Sequence, residues 1–163
     1  DKHAAHERML FEKFKANRDG IETQMLLAPV TVTLSKEEYS AVLDNLDLLE
    51  KAGYHVEDFG GGMVIVNECP TAVADADLAE VIMELAGHLV TGQKELVPEK
   101  LDWIYHSTAC RAAIKAGDKT TDYELNRFVE SLLNNPDIRY CPHGRPVLVE
   151  MSRYEIEKNF GRV

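Results

Sequence analysis

Two clusters of side chains in this 163-residue chain carry metal-ligand chemistry: His3 with Glu7 near one end, and Cys141 with His143 near the other. The first pair lies in Asp1-Lys2-His3-Ala4-Ala5-His6-Glu7-Arg8-Met9-Leu10-Phe11-Glu12-Lys13-Phe14. That run holds helix formers throughout, no Gly or Pro, and an acidic residue at its start, and predicts a helix. At helical spacing His3, Glu7, Leu10 and Phe14 share one stripe, so a histidine and a carboxylate stand where a helix turns apolar groups inward. An ionised Glu facing a packed interior is costly unless a cation meets it. The i, i+4 spacing brings both side chains within reach of one ion; taken alone, it equally describes a His–Glu hydrogen bond at a helix start. In an extended chain residues two apart point the same way, so the Cys141 thiol and the His143 imidazole face one ligand. Pro142 stiffens that pair, and Gly144 lets the backbone turn after it. Zinc accepts sulfur, nitrogen and oxygen donors together and suits such a set. A buried Cys beside a turn His is the plain alternative. A Cys–His nucleophilic dyad is a third, although so short a spacing aims both groups at a third party more easily than at each other.

Other reactive side chains are less telling by themselves. Cys110 lies on the inward stripe of its helix with Trp103, Ser107 and Ile114, and cysteine is a common core residue. Arg111 beside it suits a phosphate or a carboxylate, as any solvated arginine does. Cys69, His55, His88 and His106 have no ligand-spaced neighbours and read as structural or exposed. Gly60-Gly61-Gly62 lacks the lysine and following Ser/Thr of a phosphate-binding loop, which excludes nucleotide binding there.

The elements that must position these groups follow in order. Asn17-Arg18-Asp19-Gly20 stops the first helix. Gln24-Met25-Leu26-Leu27-Ala28-Pro29 reads as a linker, and Val30-Thr31-Val32-Thr33-Leu34 as a strand. A capping box at Ser35 and Glu38 opens a single helix carrying Val42, Leu46 and Leu49 to Gly53. Residues 54–59 and 63–68 form a hairpin through the glycine run. A second amphipathic helix covers 77–90 with Leu78, Ile82, Leu85 and Leu89 inward. Pro98 and Glu99 begin a helix reaching about Ala116, with Gly117 at its end. Thr121 and Glu124 cap another, carrying Leu125, Phe128, Val129 and Leu132 and broken at Asn135-Pro136-Asp137. A strand over 147–151 and a short helix from Ser152 to Phe160 close the chain.

Composition is that of a globular protein, with a core-sized apolar fraction. The formal charge of −10 disfavours unaided, salt-driven phosphate binding, so contact with nucleic acid calls for a delivering partner or for cations within the domain. Three cysteines without a framework spacing point to the cytosol. No apolar run approaches a membrane span, and no secretory signal opens the chain. The abrupt start at Asp1 reads as an excised piece of something longer.

Three segments together resemble a known family. Asp1-Lys2-His3-Ala4 with Glu7 and Glu12 is similar to the pattern DQHA-x2-E-x4-E, with Lys2 in place of the usual Gln. Ala109-Cys110-Arg111 and Cys141-Pro142-His143-Gly144-Arg145-Pro146 resemble two further signatures, the second being the most specific. The closing Phe160-Gly161-Arg162-Val163 resembles its Phe-x-Arg tail. The family is the C-terminal domain of bacterial, endonuclease-type MutL DNA mismatch-repair proteins, and the resemblance covers nearly the whole chain.

That resemblance implies a metal-dependent endonuclease that nicks DNA and also dimerises. Carried over by position, His3, Glu7, Cys110, Cys141 and His143 are metal ligands, and Asp1 is an essential active-site carboxylate beside His3 and Glu7. Zinc serves a structural or regulatory role and manganese serves cleavage, since two cations can stabilise the attacking and leaving oxygens of a phosphodiester. Asp1 is a hard oxygen donor suited to manganese, and the thiolates suit zinc. Glu12, five residues past Glu7, rotates off the stripe and is expected, with Arg111 and Arg145, to support the site or contact phosphate. ATP enters only through an N-terminal domain outside this sequence, and the family carries strands just before its first motif. Gln24, Leu27 and Pro29 match a Gln-x-x-Leu-x-Pro segment that docks on the replicative sliding clamp, which would supply effective concentration on double-stranded DNA. The implied partners are a second copy, the clamp, DNA and the mismatch-recognition protein, in the cytoplasm, with no membrane.

The expected fold is α+β in two interleaved parts. Residues 1–27 join 96–163 as a catalytic and dimerisation subdomain, and 28–95 insert between them as an external, regulatory one. Two rivals remain: a non-catalytic dimerisation and clamp-binding module stapled by zinc, and a metallohydrolase of small molecules with an enclosed pocket.

Overall fold

A computed structural model of the chain describes residues 1–17, 21–74, 76–114, 119–136, 138–141 and 144–162. The fold is α+β, as expected. Helix α1 (Lys2–Ala16) starts where Asp1 accepts hydrogen bonds from the amides of His3 and Ala4, and it buries Ala4, Ala5, Glu7 and Phe14. Asn17 caps its end; Gly20, assigned to that stop, lies outside the described residues.

A three-stranded antiparallel sheet follows, in the order β1-β3-β2, from β1 (Thr23–Thr33), β2 (His55–Gly60) and β3 (Met63–Pro70). The hairpin reverses through Gly60, Gly61 and Gly62, all at positive φ, where other residues are strained. The segment read as a linker is instead the first part of β1. Gln24 pairs with Cys69 and Met25 with Glu68; the ladder then breaks and resumes at Val30 opposite Val66. Four residues, 26–29, therefore face Asn67 alone in a wide bulge. Pro29, which has no amide to give the ladder, sits at its end.

Helix α2 (Lys36–Leu43) opens on the Ser35–Glu38 capping box, but it is not continuous with α3 (Leu46–Lys51). The Asn45 side-chain amide donates back to the Ala41 carbonyl at 2.7 Å, and the backbone there leaves the helical region. Helix α4 (Leu78–Thr91), capped by Asp77, buries Leu78, Ile82, Leu85 and Leu89 as its period predicts. Helix α5 (Val97–Ala112) ends earlier than expected, short of Ala116. Helices α6 (Asp122–Leu133) and α7 (Arg153–Asn159) open on the capping boxes at Thr121 and Ser152.

One continuous core runs from the sheet through α2, α3 and α4 to Phe14 of α1 and Ile104 and Tyr105 of α5. Its polar interior is satisfied at Tyr54, whose hydroxyl pairs with Thr108 Oγ1 at 2.9 Å; burial pushes that phenol's pKa up. Helix α5 is braced on α4 by His88 stacked on Trp103 at 3.7 Å, and on α1 by Lys15 against Asp102 at 2.9 Å. A second, small cluster joins Ala4 and Ala5 to Cys141 and Val147, with Phe128, Leu132 and Ile138 against it.

The strand expected over 147–151 does not form. Among the described residues the only pairing there is an isolated bridge, Tyr140 with Pro146. A tight turn around Gly144 closes it, with the Cys141 amide donating to the Arg145 carbonyl at 2.8 Å. A β-branched run makes a strand only where another strand supplies its partners, and Leu148, Val149 and Met151 are left exposed.

Candidate metal centre

The first two turns of α1 are where the sequence motifs meet. On one side α1 packs along α5. On another, Ala4 and Ala5 cover the buried Cys141. The Asp1 backbone nitrogen also donates to the Val147 carbonyl at 2.9 Å, tying the start of α1 to the segment after Cys141.

His3 directs Nδ1 at the Ile114 carbonyl, 3.0 Å away. A carbonyl only accepts, so Nδ1 carries a proton and, in the neutral ring, Nε2 has the lone pair, the tautomer in which a ligating histidine is held by its other nitrogen. His6 takes the opposite role on the same residue: its Nδ1 accepts from the Ile114 amide at 3.0 Å. Burial, and then His3, hold the His6 pKa below the ordinary histidine value, and its ring meets Phe128 edge-on. Ile114 is thus gripped through both backbone groups, and this takes the place of another helical turn: α5 stops at Ala112 and Ala113 is extended.

Glu7 is only 2 % exposed, a buried carboxylate as its place on the apolar stripe implies. It faces α5. His106 brings Nε2 to 3.5 Å from Oε1, and the Cys110 thiol lies near enough to the same carboxyl to feel its charge. Burial first, then the charges of Glu7 and Glu84, push the Cys110 thiol's pKa up. A thiol held protonated in this way becomes a ligand only when a cation displaces its proton.

Beyond Cys110 lies a polar brace. Arg111 donates to Glu84 through Nε at 2.9 Å and through a second nitrogen, and to Glu80 at 3.1 Å. Ser107 donates to Glu84 at 2.6 Å. Burial works against the charge on Glu84, but the Ser107 and Arg111 hydrogen bonds outweigh it and hold this carboxyl below its ordinary pKa. Arg111 is therefore a strut between α4 and α5 beside the centre. Glu12 is turned off the stripe, paired with Arg8 at 2.7 Å. Cys141 Sγ accepts from the Arg145 amide at 3.4 Å, and the Arg145 side chain is exposed. Pro142 and His143 lie outside the described residues.

The donors suit a borderline divalent ion chemically: a buried carboxylate with a thiol near it, an imidazole in the ligating tautomer, and a second thiol against the same helix. They stand in pairs. Among the described residues no three His, Cys, Asp or Glu side chains gather closely enough to hold a metal ion. His106 and His6 are the residues that sequence reasoning passed over. Each had a faint signal: His106 is one turn before Cys110, and His6 one turn after His3.

A family model described as the MutL C terminal dimerisation domain matches residues 1–120. This chain belongs to that family. Curated relatives, each described as a DNA mismatch repair protein MutL, agree along its whole length. The protein of Clostridium tetani is 34 % identical over 166 residues, covering 100 % of this chain and 27 % of the relative. That of Clostridium perfringens strain 13 is 36 % identical, covering 100 % and 24 %. That of Nitrobacter hamburgensis is 36 % identical over 165 residues, covering 99 % and 27 %. The chain thus spans about a quarter of the length of these MutL relatives. Among the described residues no helix is long and apolar enough to cross a membrane.

Proposed function

We propose that this MutL C-terminal domain is a metal-dependent DNA endonuclease that nicks one strand during mismatch repair and also pairs with a second copy. The observation that carries the proposal is Glu7: a carboxylate buried between helices, with the Cys110 thiol near it and the His3 imidazole one turn earlier. His3, Glu7, Cys110 and Cys141 would hold zinc, with His143 by its place in the Cys-Pro-His segment. Asp1, His3 and Glu7 would form the catalytic group, with Asp1 and Glu7 offering manganese hard oxygen donors. Bound divalent cations supply Lewis acidity for phosphodiester hydrolysis. The chain's own part is to orient: Ile114 fixes the His3 tautomer, and the α1–α5 contact holds Glu7 in place. In this reading residues 1–27 and 96–163 form the catalytic and dimerisation part, and 28–95 the external one. Double-stranded DNA, the sliding clamp and a mismatch-recognition protein are the partners, ATP acts through the rest of the polypeptide, and the compartment is the cytoplasm.

The test is metal analysis of the purified protein, paired with conversion of supercoiled plasmid to the nicked form with and without manganese and clamp. Stoichiometric zinc with manganese-dependent nicking is expected. Zinc without nicking under any of these conditions would favour the rival reading, a zinc-stapled dimerisation and clamp-binding module. The pairwise arrangement of donors and the charge of −10 are the observations behind that rival.

Dimerisation has its own surface. Helix α6 turns Phe128 and Leu132 onto the small cluster but leaves Tyr123, Val129 and Leu133 exposed. Leu148 lies across a groove of about 270 Å³ from Leu133, and Val149, Tyr154 and Phe160 are further exposed apolar side chains near the end of the sequence. None of the described candidate metal ligands lines the groove. Apolar surface on this scale marks an interface, and the family is named for dimerisation. Val129→Glu with Leu133→Glu is expected to weaken self-association at least tenfold by sedimentation, with the monomer still folded because neither side chain is buried.

A further inference from the structure

We infer that the open face of the three-stranded sheet is a docking surface for a basic amphipathic helix of a partner protein; the inference is independent of the metal reading above. Register and burial define the face. Along β3, Ile65 stands opposite Thr31 on one side and Glu57 on the other, and Glu68 stands between Met25 and His55. Directly opposed residues project to one face, so these side chains stand together. The Asn67 side-chain amide joins them, donating to Glu57 at 2.7 Å. Val32, Val56, Val64 and Val66 project the other way and are buried in the core that α2, α3 and α4 share. The first face has no such cover: Thr31, Thr33 and Glu57 are exposed, and Met25 is 76 % exposed.

Two features set this face apart from an ordinary solvated one. The outward positions of an antiparallel sheet are normally polar, yet the central strand places Met63 and Ile65 there, both half-buried, and Met25 adds to them. Neither Lys nor Arg occurs anywhere in the three strands. Within them the one group able to carry positive charge is His55, and Glu50 of α3 already engages it at 2.9 Å. The surroundings have the same sign. Residues 28–95 hold 13 Asp and Glu against three Lys, so the whole formal charge of −10 resides there and the rest of the chain is neutral.

Charge chooses the occupant. A nucleic acid or lipid phosphate is repelled, and a second copy laid face to face would set Glu57 and Glu68 against carboxylates. A segment whose lysines or arginines flank aliphatic side chains meets both features at once. Its apolar groups cover Ile65 and Met63 while its cations reach Glu57 and Glu68. A helix is the element that a bare sheet face accepts, and here it would complete a second helical layer opposite the first.

The experiment uses the whole chain, isotope-labelled, and three synthetic helical peptides. One has a leucine face flanked by lysines, the second has glutamates in place of the lysines, and the third has serines in place of the leucines. Amide shifts locate binding, and fluorescence anisotropy at low salt gives affinity. The lysine–leucine peptide is expected to shift the amides of Thr31, Glu57 and Ile65 and to bind at least about tenfold tighter than either control. Glu57→Lys is expected to weaken it about tenfold, and Glu37→Lys, the same charge change at an exposed position of α2, by less than about twofold. Equal losses from the two variants overturn the inference, because overall charge would then explain the binding. Shifts confined to other parts of the chain overturn it, and so does a serine or glutamate peptide that binds as tightly. Shifts on this face that grow with protein concentration, without peptide, overturn it in favour of a second copy. If Glu57→Lys does not fold, Thr31→Lys, exposed on the other side of Ile65, carries the same expectation.

Discussion

Replacing Asp1 with asparagine is expected to abolish manganese-dependent nicking of supercoiled plasmid, by at least about a hundredfold, while zinc content and dimerisation stay at wild-type levels. The substitution separates two tasks of one side chain. Asp1 Oδ1 accepts from the His3 amide at 3.0 Å and from the Ala4 amide at 3.2 Å, which starts α1 in the register that places His3 and Glu7. Asparagine caps a helix about as well as aspartate, so the register should survive. What is lost is the negative oxygen that a hard cation prefers. Relaxed and supercoiled plasmid resolved on a gel give the rate. Unchanged nicking would refute the catalytic assignment; loss of zinc together with nicking would show that the cap, not the charge, was the essential part.

Gln24→Ala combined with Leu27→Ala is expected to weaken binding to the sliding clamp by about 2 kcal/mol, roughly thirtyfold, without changing the fold. The bulge of β1 explains why so few side chains should matter. Leu26 packs on the core and anchors its base, while Leu27 is 107 % exposed, fully clear of the protein. Gln24 is held in register opposite Cys69, and Pro29 restricts the return to the ladder at Val30. A hook already held by strand pairing loses less entropy on docking than a free peptide does. Retention of the double variant on clamp-loaded beads equal to that of the wild type would dispose of this docking mode.

The parts of this fold that are legible in the sequence are those decided within a few residues. Asp1 capping α1, the boxes at Ser35, Thr121 and Ser152, the glycine reversal and the inward stripe of α4 all follow from local chemistry. The misreadings have distant causes. Residues 24 and 25 joined a strand because Cys69 and Glu68 supply a ladder more than forty positions away, and 26–29 bulge from it before Val30. Residues 147–151 stayed unpaired because no described strand lies beside them. The end of α5 is set by His3 and His6, whose bonds to Ile114 cross 111 and 108 positions. At the candidate site Glu7 announces itself, since a carboxylate on an apolar stripe demands a reason. Cys110 is conspicuous only through the family pattern. His106 shows only its one-turn spacing from Cys110 until α1 and α5 are laid together, when its Nε2 comes to 3.5 Å from Glu7.

The grip on Ile114 has a mechanical corollary. Both strand ladders lie wholly between the two ends that it clasps, so α1 can swing off α5 without a single ladder bond being broken. Closing so long a span costs only logarithmically more than closing a short one, and a few side-chain contacts then act as its latch. The ligand array is accordingly assembled at a seam between distant parts of the chain, to whose closure the sheet's own hydrogen bonds contribute nothing.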